Sequence, residues 1–243
     1  MNKSTILNTP CFQVESIASS KSYIKEIISS KKGGYSTAIN ASKIMMYGKD
    51  PLMKEVIDNS VLPIPDGSGA VIGLKLLHNL KCIRLDLPKT ILELANKEAY
   101  KLFVLGSEEK VNKLATEKIQ EKYPNINIVG RRNGFFEYEF EYEIIEILKK
   151  EKPQIVMVAL GSPKQEKFAA RVNKILPNIL FIGCGGALDI LAGKVKRAPK
   201  FFQDNHLEWL YRLALEPKRI KRQKVLPIFL IKLLLRKLNK KNK

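Results

Sequence analysis

An alternation running through most of the chain constrains its fold more than any other feature. Short β-branched or apolar runs recur at Tyr35–Ile39, Leu62–Ile64, Leu102–Leu105, Ile126–Val129, Ile155–Ala159 and Ile179–Gly183. Most end in Gly, Ser, Asp or Pro. The stretches Ser107–Lys122, Glu141–Lys152 and Pro163–Ile175 that lie between or after them carry apolar residues at helical spacing. Strand, turn and helix in that order mark βα units and a largely parallel sheet flanked by helices, so the expected class is α/β. A chain of 243 residues suffices for one such core with a small appendage.

The C-terminal end breaks the alternation. His206–Leu215 reads as a helix, Pro217 interrupts it, and Lys218–Lys224 is strongly basic. Val225–Leu235 is apolar except for Lys232, and Arg236 opens a second basic stretch. From Lys218 to Lys243 there are eleven basic residues and no acidic one, against a formal net charge of +19 for the whole chain. Such an excess favours a polyanionic partner, either an anionic membrane surface or nucleic acid. Its concentration in the tail points to the membrane, because a nucleic-acid-binding body would spread its cations along a groove. The apolar run is about half the length that crosses a bilayer. It is suited to lying in the interface with its cations at the headgroups. The alternative is a helix packed on the core or on a second subunit. The expected division is an α/β core over residues 1–205 and a basic, helical, membrane-binding appendage over 206–243.

Cys11, Cys82 and Cys184 are far apart and form no CxxC spacing. A reducing, cytoplasmic compartment is the simpler reading than a disulfide framework or a zinc site. Met1–Ser20 has no apolar stretch of the signal-peptide kind.

Ligands of open α/β sheets bind at the strand ends, and three loops there have unusual contents. Pro65-Asp66-Gly67-Ser68-Gly69 presents a carboxylate beside glycines that let a substrate come close. Asp66 reads as a general base or as a turn or N-cap aspartate before the helix Ala70–Leu77. Gly161-Ser162-Pro163-Lys164-Gln165-Glu166 combines exposed backbone donors with a cation, which suits a phosphate; a well-capped βα loop has the same composition. Gly183-Cys184-Gly185-Gly186-Ala187-Leu188-Asp189 places further glycines after a strand. The basic segments Lys194–Lys200 and Arg212–Lys224 suit diphosphate recognition or a solvated surface.

Several chemistries lack their motifs. There is no GxGxxG, no P-loop lysine motif, no HExxH, no GxSxG and no DxD pair. That weakens the dehydrogenase and NTPase readings. His78 and His206 have no ligand cluster around them and read as structural or surface residues.

Taken together the loops resemble the WecG/TagA/CpsF family of glycosyltransferases, family 26. The resemblance rests on Thr37-Ala38-Ile39-Asn40-Ala41, the Pro65–Gly69 loop, Phe103–Gly106, Tyr123-Pro124, Val129-Gly130 and Asn133–Phe136. It continues through Val158–Glu166, Gly183–Gly186, Arg197-Ala198-Pro199, Leu207–Arg212 and Glu216–Arg219, and so spans most of the chain. It implies a Rossmann-like core and an inverting transferase that needs no metal or other cofactor. The family typically moves N-acetylmannosamine or its uronic acid from UDP to N-acetylglucosaminyl-diphospho-undecaprenol. The products serve teichoic acid, common antigen or capsule synthesis.

Carried over by position, the resemblance makes Asp66 the catalytic base, with Thr37, Asn40, Arg84 and Gln165 beside it. It implies a nucleotide-sugar site at Leu105, Gly106, Gly134, Phe135, Phe136, Gly161, Pro163, Lys164, Gly185, Gly186 and Asp189. Arg197, Arg212, Arg219 and Arg222 would meet the lipid diphosphate. The segment Arg84-Leu85-Asp86-Leu87-Pro88 lacks a glycine usual in the family, which leaves Asp86 without an assigned role. Expected partners are a UDP-sugar, an undecaprenyl-diphosphate-linked acceptor and the inner face of a bacterial cell membrane, where the protein would be peripheral. The family also self-associates. No nucleic acid is expected. A nucleic-acid-binding protein is the alternative and explains the charge, though not the loops; a nicotinamide-dependent oxidoreductase or epimerase lacks its fingerprint.

Overall fold

The computed structural model describes residues 1–136, 140–204, 208–215 and 225–241. Its centre is a sheet of β3 (Gly34–Ile39), β4 (Leu62–Pro65), β5 (Lys101–Gly106), β6 (Asn127–Arg132), β7 (Ile155–Ala159) and β8 (Leu180–Gly183). These pair in parallel in the order β4-β3-β8-β7-β5-β6. The expected strands are all present, and β6 runs on to Arg132. Pro63 and Pro65 fit because β4 is an edge strand, where a missing N–H costs no ladder bond. An antiparallel hairpin of β1 (Asn2–Ile6) and β2 (Thr9–Gln13) stands apart from this sheet.

The sheet is buried on both faces, as a parallel sheet must be. Leu102 and Val104 point into one core with Ile24 and Ile28 of α1 (Ile17–Ser29), Ile91 and Leu92 of α5 (Leu87–Glu98), and Ala115 and Ile119 of α6 (Glu109–Lys122). Phe103 and Leu105 point into a second core with Ile144 and Leu148 of α7 (Glu141–Glu151) and Phe168 and Val172 of α8 (Lys164–Ile175). Period-two alternation along β5 thus serves both layers.

A third core lies at the β4 edge. It joins Ile6 and Cys11 of the hairpin to Ile44 of α2 (Ala41–Tyr47), Met53 and Ile57 of α3 (Pro51–Asp58) and Leu74 of α4 (Gly67–His78). Phe229 and Leu233 of α12 (Val225–Lys241) complete it. The tail helix therefore packs on the core along one face. Ile228, Ile231, Leu235 and Leu238 stay exposed on the rest of its surface. His78 has a structural part here, its Nε2 lying 2.7 Å from the carbonyl oxygen of Thr5. His206 lies outside the described residues. Among the described residues, three short helices lie between β8 and α12: α9 (Ala187–Leu191), α10 (Lys200–Asp204) and α11 (Glu208–Leu215).

Candidate active site

Parallel pairing puts the carboxyl ends of all six strands on one rim, and a cleft of about 2040 Å³ opens there. A single small ligand typically occupies about 300–1,000 Å³, so this cleft has room for two substrates.

At the β4 end, Gly67 adopts φ +77, which a side chain would oppose. The turn leaves Asp66 at the N-cap position of α4, yet its carboxylate makes no capping hydrogen bond. The cap reading of Asp66 therefore holds for the backbone but not for the side chain. That carboxylate faces the cleft with Oδ2 3.5 Å from the Asn40 side-chain nitrogen. Asn40 ends β3 and caps α2, its oxygen accepting from the Lys43 N–H at 3.1 Å.

Thr37 does not join them. Alternation along β3 turns Ala38 toward the cleft and Thr37 to the opposite face, where its hydroxyl is buried with no partner among the described residues.

The β7 loop supplies Gly161, Lys164 and Gln165 to the cleft. Pro163 sits at the N-cap position of α8 and does not line it. Gln165 is buried, and its oxygen accepts from the Gly185 N–H at 3.3 Å, which ties the β7 loop to the β8 loop. Gly183 leaves room for that contact: a Cβ there would lie 2.8 Å from the Gln165 amide nitrogen and would press on it. Gly185, Gly186 and Asp189 line the cleft.

Gly134, Phe135 and Phe136 line it from the β6 end. Phe135 is exposed, and Lys164 stands 5.1 Å above the Phe136 ring. Leu105 is a core residue instead, and neither it nor Gly106 reaches the cavity wall. These two end a buried strand, so their side of the wall is formed by Ser107 and Glu108.

Cations gather on the remaining wall. Arg84 and Arg197 line the cleft, and each is already paired: Arg84 with Glu208 of α11, Arg197 with Asp86 at 2.8 Å. Asp86 also caps α5 by accepting from the Lys89 N–H. Arg219 and Arg222 lie outside the described residues, as does the side chain of Arg212. Sequence reasoning missed Arg132, Lys43 and Glu208. Arg132 lay just beyond the expected end of its strand, and Lys43 on a short helix reads as a solvated residue. Glu208 stands in the Leu207–Arg212 stretch that carries the resemblance, but without a role of its own. Cys184 also borders the cleft, and burial pushes its thiol up to about 12, which disfavours the thiolate.

An aspartate whose side chain does no capping thus shares a roomy cleft with glycine-bearing loops and guanidinium groups, an arrangement of the kind a group transferase needs. The model of the glycosyl transferase WecG/TagA/CpsF family matches residues 5–243, and the chain belongs to that family. It is 34% identical over 245 residues to the N-acetylglucosaminyldiphosphoundecaprenol N-acetyl-beta-D-mannosaminyltransferase of Bacillus subtilis (strain 168). That alignment covers 99% of this chain and 94% of the relative.

Proposed function

We propose that this glycosyltransferase moves N-acetylmannosamine from UDP to N-acetylglucosaminyl-diphospho-undecaprenol with inversion. The observation that carries the reading is the Asp66 carboxylate, which holds a capping position without capping and faces the cleft. The resemblance of the whole chain to a mannosaminyltransferase supplies the substrate class.

Asp66 takes the proton of the acceptor hydroxyl as that oxygen attacks the anomeric carbon. The bond from that carbon to the UDP oxygen breaks, and UDP leaves with the electron pair. Asn40 orients the carboxylate through its amide. The UDP part lies along Gly134–Phe136, the Gly161–Gln165 loop and Gly185–Asp189. Arg84, Arg132 and Arg197 offset the charge on the leaving UDP and on the lipid diphosphate. Thr37, Leu105, Gly106 and Pro163 act from behind the cavity wall by holding its backbone. Arg212, Arg219 and Arg222 also meet the lipid diphosphate in this reading.

Residues 206–243 act as a peripheral membrane appendage on the inner leaflet. No described helix is long and apolar enough to cross a membrane. The exposed apolar residues of α12 lie among Lys232 and Arg236, a composition suited to the headgroup boundary.

Mass analysis of products from a panel of UDP-sugars with one lipid-linked acceptor tests the substrate reading. A single added N-acetylhexosamine, from UDP-N-acetylmannosamine alone, is the expected result. Product from the wild type with no loss in Asp66→Asn would remove the base assignment. Co-sedimentation with anionic vesicles tests the appendage, and a dimer that hides α12 and stays in the supernatant would overturn it.

A further inference from the structure

At the cleft wall, Lys43 forms a charge pair with Glu166, which lies behind the wall, and neither has an assigned role. Lys43 Nζ is 2.7 Å from Glu166 Oε1, and both side chains are almost wholly buried. The same ammonium donates to the Ala38 carbonyl at 2.9 Å, at the end of β3. Glu166 Oε1 also accepts from the Gln165 amide at 3.3 Å, while Glu166 Oε2 is buried with no partner among the described residues.

A buried ion pair is a poor source of stability, because the cost of desolvating two charges offsets their attraction; apolar residues of similar volume often serve as well or better. The geometry shows what else this one does. Lys43 is held by Asn40, which caps its helix and touches Asp66. Glu166 follows Gln165, which reaches the Gly185 N–H. Lys43 thus ties the end of β3 to α8 through its ammonium, and through its backbone N–H it meets Asn40 beside Asp66, while Gln165 next to Glu166 carries the link on to the β8 loop.

We infer that Lys43 and Glu166 are positioning residues, which fix the distance between the Asp66–Asn40 pair and the Gln165–Gly185 pair. The first pair serves the acceptor hydroxyl and the second the donor, so the ion pair sets the gap across which the sugar moves. This rests on the reading of Asp66 and Gln165 given above. A shift of about 1 Å in such a gap can lower turnover roughly 100-fold while leaving each substrate bound.

The test is the double variant Lys43→Met/Glu166→Gln, which removes both charges together and so leaves no orphan charge in the interior. It is expected to keep the wild-type circular dichroism spectrum and UDP affinity, with kcat about 100-fold lower and KM little changed. Wild-type kcat in this folded variant would overturn the inference. So would parallel losses of UDP affinity and kcat, which would make Lys43 a ligand-binding charge. If the double variant does not fold, Glu166→Gln alone decides. It preserves shape and removes one charge, and wild-type kcat there also overturns the inference, whereas a fall in kcat with UDP affinity retained supports it. Asp66→Asn in the same assay separates the two readings. Full turnover there, with a loss in the double variant, removes the base assignment and leaves the positioning role standing.

Discussion

Asn40 and Asp66 are the N-cap residues of neighbouring helices, and their side chains meet 3.5 Å apart over the ends of β3 and β4. Asn40 has two separable tasks: its oxygen caps α2, and its amide nitrogen faces Asp66. Asn40→Ala loses both, with a stability cost of about 1 kcal/mol for the missing cap. Asn40→Ser keeps a cap and loses the amide donor. The serine variant should therefore melt close to wild type yet turn over about tenfold more slowly, in line with the loss of one oriented hydrogen bond. Equal rates in serine variant and wild type would show that the amide does not orient the carboxylate.

Arg84 is engaged by Glu208 before any substrate arrives. A diphosphate that uses Arg84 must displace that carboxylate. Glu208→Gln should then bind a soluble lipid-diphosphate analogue several-fold more tightly. It should also melt slightly lower, by the roughly 1 kcal/mol that a partly exposed pair contributes. Titration calorimetry reads the first effect and thermal denaturation the second. Weaker binding would mean that Glu208 holds Arg84 in place for the ligand.

The two sides of α12 should respond differently to substitution. Phe229→Ala empties a fully buried site and should cost about 3–5 kcal/mol. Ile231→Asp alters an exposed position and should leave the melting temperature near wild type while weakening sedimentation with anionic vesicles. Vesicle binding unchanged by Ile231→Asp would detach this helix surface from the membrane role.

Alkaline pH should destabilise the fold. Burial pushes the Cys184 thiol up to about 12 from its ordinary 9.0, and burial with nearby Glu55 pushes the Tyr35 phenol up to about 12 from 10.0. Burial raises the Cys11 thiol as well. The unfolded chain releases these protons at lower pH than the native protein. Their contribution is whole below about pH 9 and is lost as the pH climbs toward about 12. The melting temperature should fall across that window, and Cys184→Ala should soften the fall. A flat profile from about pH 8 to about pH 11 would contradict the assignment.

The parallel sheet was legible because each of its strands is an apolar run closed by a turn residue, as Ile155–Ala159 shows. Asp66 was legible as a special aspartate, though only the structure separates its backbone cap from its side chain. The helices α1, α2, α3 and α5 and the N-terminal hairpin were not read. The pattern of α1 is broken by serines, α2 and α3 are short, α5 has apolar residues at helical spacing but was weighed only for Arg84–Pro88 at its start, and the first residues were weighed only as a leader. Thr37 and Asn40 looked equivalent, and strand alternation divides them. Lys43 was invisible for a general reason: a lysine on a helix is solvated in most proteins, and only its partner 123 positions away buries it.

Phe229 touches the position where a Cβ on Gly69 would lie, within one turn of Asp66 along α4. With α12 lying on a bilayer, the carboxylate then sits at one fixed height above the lipid. An acceptor tethered by its prenyl chain has a fixed height too, and every sugar added lifts its reactive hydroxyl farther out. The enzyme in that case works as a ruler, and its product has already grown beyond the mark at which a second transfer could occur.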